Sequence, residues 1–314
     1  MRCITLQSYD PFFYLASEEH LLRNTSDEYL ILAINSPSVI IGKHQSPHRE
    51  VNTEFVVKNN IPVIRRISGG GTVFHDMGNL NFTFIMNSKP GKQVDFRRYT
   101  EPVIDFLGTL GVEAKFEGKN DIRINGLKIS GNAEHVHRNR VLHHGTLLFS
   151  SDLDLLRNSL RKDTSCYKTR AVDSNPSSVS NLNRFLPSVK DINDFKELMI
   201  IYFMKKIPGI ENLQLPDDNK KEITLLADSK FRKWEWNYAY GPDYQFIRQF
   251  DYQGIRVECR LKVKAGVIQE SFISGSRLLE QAAQRLVGVR HMPEEMERVI
   301  LNENITGLEI FSFF

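Results

Sequence analysis

The sequence predicts an α/β protein: a mixed-sheet domain followed by a small α/β unit. Three observations carry that reading. Short β-rich runs and amphipathic helical stretches follow one another in mixed order without an internal repeat. Asn125-Gly126 stands between two alternating runs, the signature of a two-residue hairpin turn. A glycine loop, Arg65-Arg66-Ile67-Ser68-Gly69-Gly70-Gly71-Thr72-Val73-Phe74-His75-Asp76, leads from one strand-like run into another rather than into a helix.

In chain order, residues 1–6 open in strand-like sequence. Asp10-Pro11 starts a helix over 12–24, with Asp as N-cap and Pro in the first turn. Strands are expected over 29–34 and 38–41, separated by the turn cluster Asn35-Ser36-Pro37, and a short helix over 53–60 leads into the apolar run 61–64. After the glycine loop, 80–86 alternates as a strand and 96–110 reads as an amphipathic helix closed by Gly111. Residues 143–149 form another strand, and Ser151-Asp152 caps a helix over 153–161. The Ser-, Asn- and Pro-rich stretch 165–188 reads as a long loop, expected to be loosely held without ligand. A helix over 192–204, the tryptophan-bearing 230–240, two strands around Lys264-Ala265-Gly266 and helices over 276–287 and 293–301 complete the chain. The expected domains are 1–241 and 242–314, divided at Gly241-Pro242.

The glycine triplet offers backbone N–H groups with no side chain in the way, and glycine tolerates φ > 0, so an anion can rest on the main chain. Arg65 and Arg66 add planar, permanently charged forks. A tight hairpin with solvated arginines is the plainer alternative. Rossmann and phosphate-loop nucleotide folds are excluded, because the loop enters a strand and lacks a Lys-Ser/Thr ending. In the second informative stretch, a type I′ turn at Asn125-Gly126 would pair Ile124 with Leu127, Arg123 with Lys128, Ile122 with Ile129 and Asp121 with Ser130. Asp121, Arg123, Lys128 and Ser130 then share one polar face, either solvated or functional. Small residues 130–133 suggest that something large approaches the backbone there. His143 and His144 point to opposite faces of a strand, so they do not readily share a metal.

A net charge of +3 with no dense basic block argues against a nucleic-acid partner and suits anionic small molecules or an acidic protein partner. Three cysteines, at 3, 166 and 259, form neither a disulfide framework nor a zinc spacing, which points to a reducing cytoplasm. No apolar run reaches the ~18 residues of a membrane span.

Four ordered motifs resemble the lipoate–protein ligase A family. They are Arg65-Arg66-x-Ser68-Gly69-Gly70-Gly71-x-Val73-x-His75-Asp76-x-Gly78-Asn79; Asn120-Asp121-Ile122; Lys128-Ile129-Ser130-Gly131-x-Ala133; and His143-His144-Gly145-Thr146-Leu147-Leu148. Residues 35–45 and Trp234-Glu235-Trp236-Asn237 match as well, so the likeness spans roughly residues 1–240 and the tail resembles the family's C-terminal domain. The resemblance implies a catalytic domain of the biotin and lipoate ligase type with an accessory domain. The implied chemistry joins lipoate to ATP as lipoyl-adenylate (lipoyl-AMP) and then transfers the lipoyl group to a lysine of a lipoyl carrier domain. The carrier would belong to a 2-oxoacid dehydrogenase complex or be the glycine cleavage H protein.

On the matching positions, the resemblance implies Lys128 as the catalytic residue. Nucleotide contacts fall to Arg65, Arg66, Gly69, Gly70, Gly71, Thr72, Val73, Phe74, Asn79, Asp121 and Lys128. The lipoyl group falls to Lys128, Ser130, Gly131, His144 and Gly145, and Mg2+ to Asp121. No covalent enzyme intermediate is needed, so Lys128 reads as an electrostatic clamp. A monomer is expected, with neither nucleic acid nor membrane as partner. Two departures from the family pattern bear on ATP activation. The stretch 171–182 lacks arginine, like the animal lipoyltransferases that chiefly use preformed lipoyl-adenylate. Ala239-Tyr240-Gly241-Pro242 also stands where Gly-Lys-x-Pro is frequent. The alternatives are a lipoyl or octanoyl transferase that uses no ATP, a cysteine acyltransferase built on Cys166, a biotin ligase, and a binding module without catalysis.

Overall fold

The computed structural model describes residues 1–89 and 94–314. Its strands are β1 (Arg2–Thr5), β2 (Tyr29–Ile34), β3 (Ser38–Ile41), β4 (Val63–Arg65), β5 (Val73–His75), β6 (Asn79–Asn87), β7 (Lys115–Glu117) and β8 (Asp121–Ile124). They continue with β9 (Leu127–His137), β10 (Arg140–Leu148), β11 (Tyr167–Thr169), β12 (Glu211–Leu213), β13 (Tyr244–Tyr252), β14 (Ile255–Lys264) and β15 (Val267–Ser274). Eight of them form a mixed sheet in the order β12-β1-β2-β6-β10-β9-β8-β7, parallel across β12, β1 and β2 and antiparallel beyond. A small sheet β4-β3-β5 lies beside it.

Both faces of the large sheet are covered, which is why all six residues of β2 are buried. On one face Phe82 and Phe84 pack with Phe106 and Phe203 from the helices Phe96–Thr109 and Ile192–Lys206. On the other, Ile31, Ile85 and Leu142 meet Tyr14, Leu15 and Leu21 of α1 (Pro11–Asn24), together with Ile40 and Ile64 of the small sheet. Asp10 caps α1 by accepting from Phe12 N at 3.0 Å.

A third sheet, β11-β13-β14-β15, carries its own apolar core under helices Arg277–Leu286 and Pro293–Asn302. Its edge strand β11 comes from the stretch read as loop, so this core reaches back before residue 242. Short β-pairing of 167–169 with β13 outweighs the polar composition around it.

Asn125 (φ 51°) and Gly126 (φ 77°) form the expected left-handed hairpin pair. The register holds for Ile124 with Leu127 and for Arg123 with Lys128, then a bulge intervenes: Ile122 pairs with Ser130, and Asp121 with Gly131. The extra residue on β9 breaks the simple alternation there, and residues 129–133 of the strand are buried rather than solvated.

Arg65 is fully buried and donates to five backbone carbonyls: Gly42, Lys43 and Gln45 from Nη1, Asn237 from Nη2 and Trp236 from Nε, at 2.7–3.1 Å. Its own main chain is held by Asn237 Oδ1 at 2.9 Å and by Trp236 Nε1 at 2.7 Å. The second half of Trp234-Glu235-Trp236-Asn237 is therefore a brace for β4. Replacing Arg65 by methionine keeps bulk but strands buried acceptors. The expected cost is on the order of 3–5 kcal/mol, since each unpaired buried group costs ~1–3 kcal/mol. Urea unfolding measures it, and a loss below about 1 kcal/mol would refute the brace.

Candidate active site

Two adjoining cavities lie between the glycine loop and strands β9 and β10, on the α1 side of the large sheet. The first, of about 570 Å³, runs from the turn at Gly118–Asn120 inward to Tyr14, Leu15 and His144. The second, of about 690 Å³, is walled by Phe74, Leu148 and Val179, with Arg161 and Lys162 at its rim. Thr72, Val73, Lys128, Gly131, Thr146 and residues 173–177 line both. Lys128 thus stands where the two meet.

Lys128 Nζ lies 2.8 Å from Asp121 Oδ1, and Asp121 Oδ2 accepts from Arg123 Nη2 at 2.7 Å. These three side chains are mostly sheltered from solvent and come from the hairpin face expected to hold them. A Cβ on Gly131 would sit 3.1 Å from Lys128 Cε and Nζ, so the absent side chain is what leaves room for the lysine.

Of the three loop glycines, Gly70 alone takes positive φ, at 85°. Gly71 is small for another reason: its Cβ would press on Ser174 at 3.2–3.4 Å. Arg66 shapes the loop from within, donating to Gly69 O at 2.6 Å, Gly71 O at 2.7 Å, Ile40 O at 3.1 Å and Ser68 Oγ at 2.9 Å. Burial lowers its pKa to about 10, which leaves it charged at neutral pH. The expected pair of arginine forks for phosphate is therefore corrected. Arg65 lines neither cavity, and Arg66 lines the first with most of its donors spent on the loop.

Gly70, Gly71, Thr72, Val73, Phe74, Asp121 and Lys128 are brought together at the cavities, while Gly69 and Asn79 are not. Asn79 donates to Asn81 Oδ1 at 2.8 Å, and Gly69 serves Arg66 through its carbonyl. Gly131, His144 and Gly145 line the first cavity. Ser130, expected beside them, opens onto the second, because the bulge changes its partner. Gly145 admits no side chain: a Cβ would lie 2.3 Å from Asn132 Oδ1.

At the deep end of the first cavity the sequence pointed to His144 but not to its partner Glu18. His144 Nδ1 donates to Glu18 Oε1 at 2.8 Å, its Nε2 lies 2.6 Å from Ser68 Oγ, and Glu18 Oε1 also accepts from Thr83 Oγ1 at 2.6 Å. Glu18 is fully buried on α1, where helical periodicity alone gave no sign of a polar site. His143 faces away from the cavity, stacks on Tyr99 and bonds Glu134 at 2.9 Å. Of the adjacent pair, one is a core residue and the other lines the cavity.

Residues 172–180 cross the cavities as a strap. Asp173 pairs with Arg49, Ser174 bonds Glu50, Gln45 and Thr72, and Arg123 Nη2 donates to Ser177 Oγ at 2.6 Å. Lys128 N donates to Ser178 O at 2.9 Å, and Ser180 N to Lys128 O at 3.0 Å. A segment expected to be loosely held is thus tied at both ends. Residues 239–242 do not line the cavities, so the altered Gly-Lys-x-Pro position lies outside them. Among the described residues, no group of three or more His, Cys, Asp or Glu is placed to hold a metal. No helix among them is long and apolar enough to cross a membrane.

Residues 10–204 match the family model described as the lipoyl protein ligase A/B catalytic domain. The chain is 37% identical to lipoate–protein ligase 1 of Staphylococcus aureus, covering 97% of this chain and 93% of that protein. Among solved structures it resembles lipoate–protein ligase A bound with ATP, with TM-score 0.65 and 26% identity over 75% of this chain and 97% of that one. It also resembles the bi-partite lipoate protein ligase described with its E2 lipoyl domain from Thermoplasma acidophilum, with TM-score 0.65 and 26% identity over 75% and 95%.

Burial, with His144 and Arg66 nearby, lowers the His75 pKa to about 3, and burial lowers that of His291 to about 4. Both are neutral when folded and titrate near 6.5 when unfolded. Below that value the unfolded chain binds protons that the folded chain does not. Stability is therefore full above about pH 7 and declines toward pH 4, by up to about 1.4 kcal/mol per pH unit for each histidine. A urea midpoint that stays level from pH 7 to pH 5 would contradict the assignment.

Proposed function

The chain belongs to the lipoyl protein ligase A/B catalytic family, and from that premise we propose how one lysine serves both halves of lipoate–protein ligation. The chain is an ATP-dependent lipoate–protein ligase. The observation that carries the proposal is the position of Lys128 at the junction of two cavities. The first takes the acyl chain, with Tyr14, Leu15 and Ile40 along its length and Glu18-bonded His144 at its inner end. The second takes the adenosine against Phe74, Leu148 and Val179. The α-phosphate then falls at the junction, on the backbone of Gly70, Gly71 and Thr72.

In the first half-reaction a lipoate carboxylate oxygen attacks the α-phosphorus, the bond from that phosphorus to the β-phosphate oxygen breaks, and pyrophosphate leaves. In the second, the amine of the carrier lysine attacks the acyl carbon, the bond to AMP oxygen breaks, and the amine gives up a proton. Negative charge grows on oxygens beside the junction in both, and a preorganised ammonium stabilises it without rearrangement. Asp121 aims that ammonium. Its carboxylate also suits magnesium, which takes one or two carboxylates together with substrate phosphates, and each of its oxygens keeps a lone pair beyond its ion pair. Magnesium held there would neutralise phosphate charge. The carrier is a lipoyl domain of a 2-oxoacid dehydrogenase complex or the glycine cleavage H protein, its lysine entering past the exposed turn at residues 118–120.

Lys128→Ala is expected to lower carrier lipoylation by roughly 10²–10³-fold, the scale of losing one transition-state donor. It should do so with ATP and lipoate and also with synthetic lipoyl-adenylate, while thermal unfolding stays near that of the parent. Undiminished transfer from lipoyl-adenylate would remove Lys128 from the second step. Lipoate-dependent pyrophosphate release without carrier tests the ATP step itself.

A further inference from the structure

Ser174 Oγ uses its whole hydrogen-bonding capacity inside the site. It accepts from Thr72 N at 2.9 Å and from Gln45 Nε2 at 3.0 Å, and it donates to the buried Glu50 carboxylate. Gln45 is fixed in turn, its Oε1 accepting from Gly42 N at 2.8 Å and from Thr72 Oγ1 at 3.0 Å. The hydroxyl therefore sits on the main-chain donor that the glycine loop would present to phosphate, and one N–H cannot make a full bond to both.

The two ends of the strap are held differently. At residues 178–180 the hold is a backbone pair with Lys128, which side-chain motion does not undo. At 172–174 one backbone bond, from Val172 N to His44 O at 3.1 Å, is joined by side-chain bonds: Arg49 on Asp173, and Glu50, Gln45 and the Thr72 amide on Ser174. Exchange of partner at the Thr72 amide loosens the hold at Ser174 and leaves the backbone bonds at Val172 and Lys128 in place.

We propose that Ser174 is a resident competitor for the phosphate of the nucleotide: its hydroxyl latches the strap onto the Thr72 amide, and an arriving phosphate must displace it. The proposal rests on the assignment of the glycine loop to the nucleotide. It gives the arginine-free strap a role as a positioning element that sets nucleotide affinity by competing for a donor. The site then opens its strap only when an anion takes the place of the hydroxyl.

The test is Ser174→Ala in the full chain, with two readouts. A serine that merely supported the site would make nucleotide binding weaker when lost. A competitor makes it tighter, by roughly three- to tenfold for the non-hydrolysable probe adenosine 5′-(α,β-methylene)triphosphate, the scale of one net hydrogen bond. Unchanged or weaker binding overturns the competition. Amide hydrogen exchange of the free proteins reports the latch without any nucleotide, and Thr72 is expected to exchange faster in the variant. Equal protection of Thr72 overturns the latch. A parent protein that fails to bind the probe would overturn the nucleotide assignment and the competition together, and the exchange readout still separates that failure from loss of the latch.

Discussion

A guanidinium enclosed by five backbone carbonyls is the constraint on which the site depends. Arg65 draws in the chain at 42–45 and at 236–237, stretches that lie on opposite sides of it in sequence. Small residues make the approach possible: a Cβ on Gly241 would stand 2.9 Å from Arg65 Nη2, and one on Gly42 would stand 2.1 Å from Gly70 O. With β4 fixed this way, Arg66 can close the glycine loop around its own carbonyls. The donors of the arginine pair thus go mainly into shaping the loop. Backbone N–H groups fixed in this way need no rearrangement to meet charge, which is the condition under which such donors are worth most.

Much of this was legible in the sequence where local rules decide the outcome. The hairpin at Asn125-Gly126, the Asp10 and Asp152 caps and the order of strands follow from turn chemistry and periodicity, which depend on neighbours in sequence. What local rules could not supply is the partner of a polar group. Arg65-Arg66 reads as two exposed forks because the carbonyls that absorb Arg65 lie about 20 and 170 residues away. Glu18 reads as one more charge on a helix, yet it is buried against His144 from β10. The bulge in β9 is invisible to a two-residue alternation, and it pairs Asp121 with Gly131 where strict alternation would pair it with Ser130. Three-residue β5 and β11 are too short to show a period at all. The motif resemblance reached further than composition or periodicity because it carries tertiary information.

The lack of arginine in 171–182 looked like a deficit in phosphate binding. In three dimensions Lys128 lines both cavities, Arg123 lines the first, and Arg49, Arg161 and Lys162 line the second. A strap arginine would add a cation where several stand, whereas a hydroxyl can both donate and accept. Ser174 uses that property to meet Glu50 and the Thr72 amide at once. The bond from the Thr72 amide is a neutral one, worth about 1 kcal/mol net and small enough to be exchanged for a phosphate, while the bond to the Glu50 carboxylate is charge-assisted and stronger.

The course of the strap adds a mechanical consequence. It follows closely on β11, an edge of the C-terminal sheet, and toward its far end Val179 is bridged to Lys128 on the large sheet. His48, next to the Arg49 and Glu50 that grip the strap, contacts the C-terminal unit as well, its Nε2 lying 2.7 Å from His291 O. The two units are therefore joined both through the strap and through the residues that hold it. A displacement of the C-terminal sheet would pull on 167–174 and on 47–50 together, and the backbone bond from Val172 to His44 and the side-chain bonds at Asp173 and Ser174 lie in that path. The backbone pair at Lys128 lies beyond those bonds along the chain, so the hold of the strap on this lysine does not run through them.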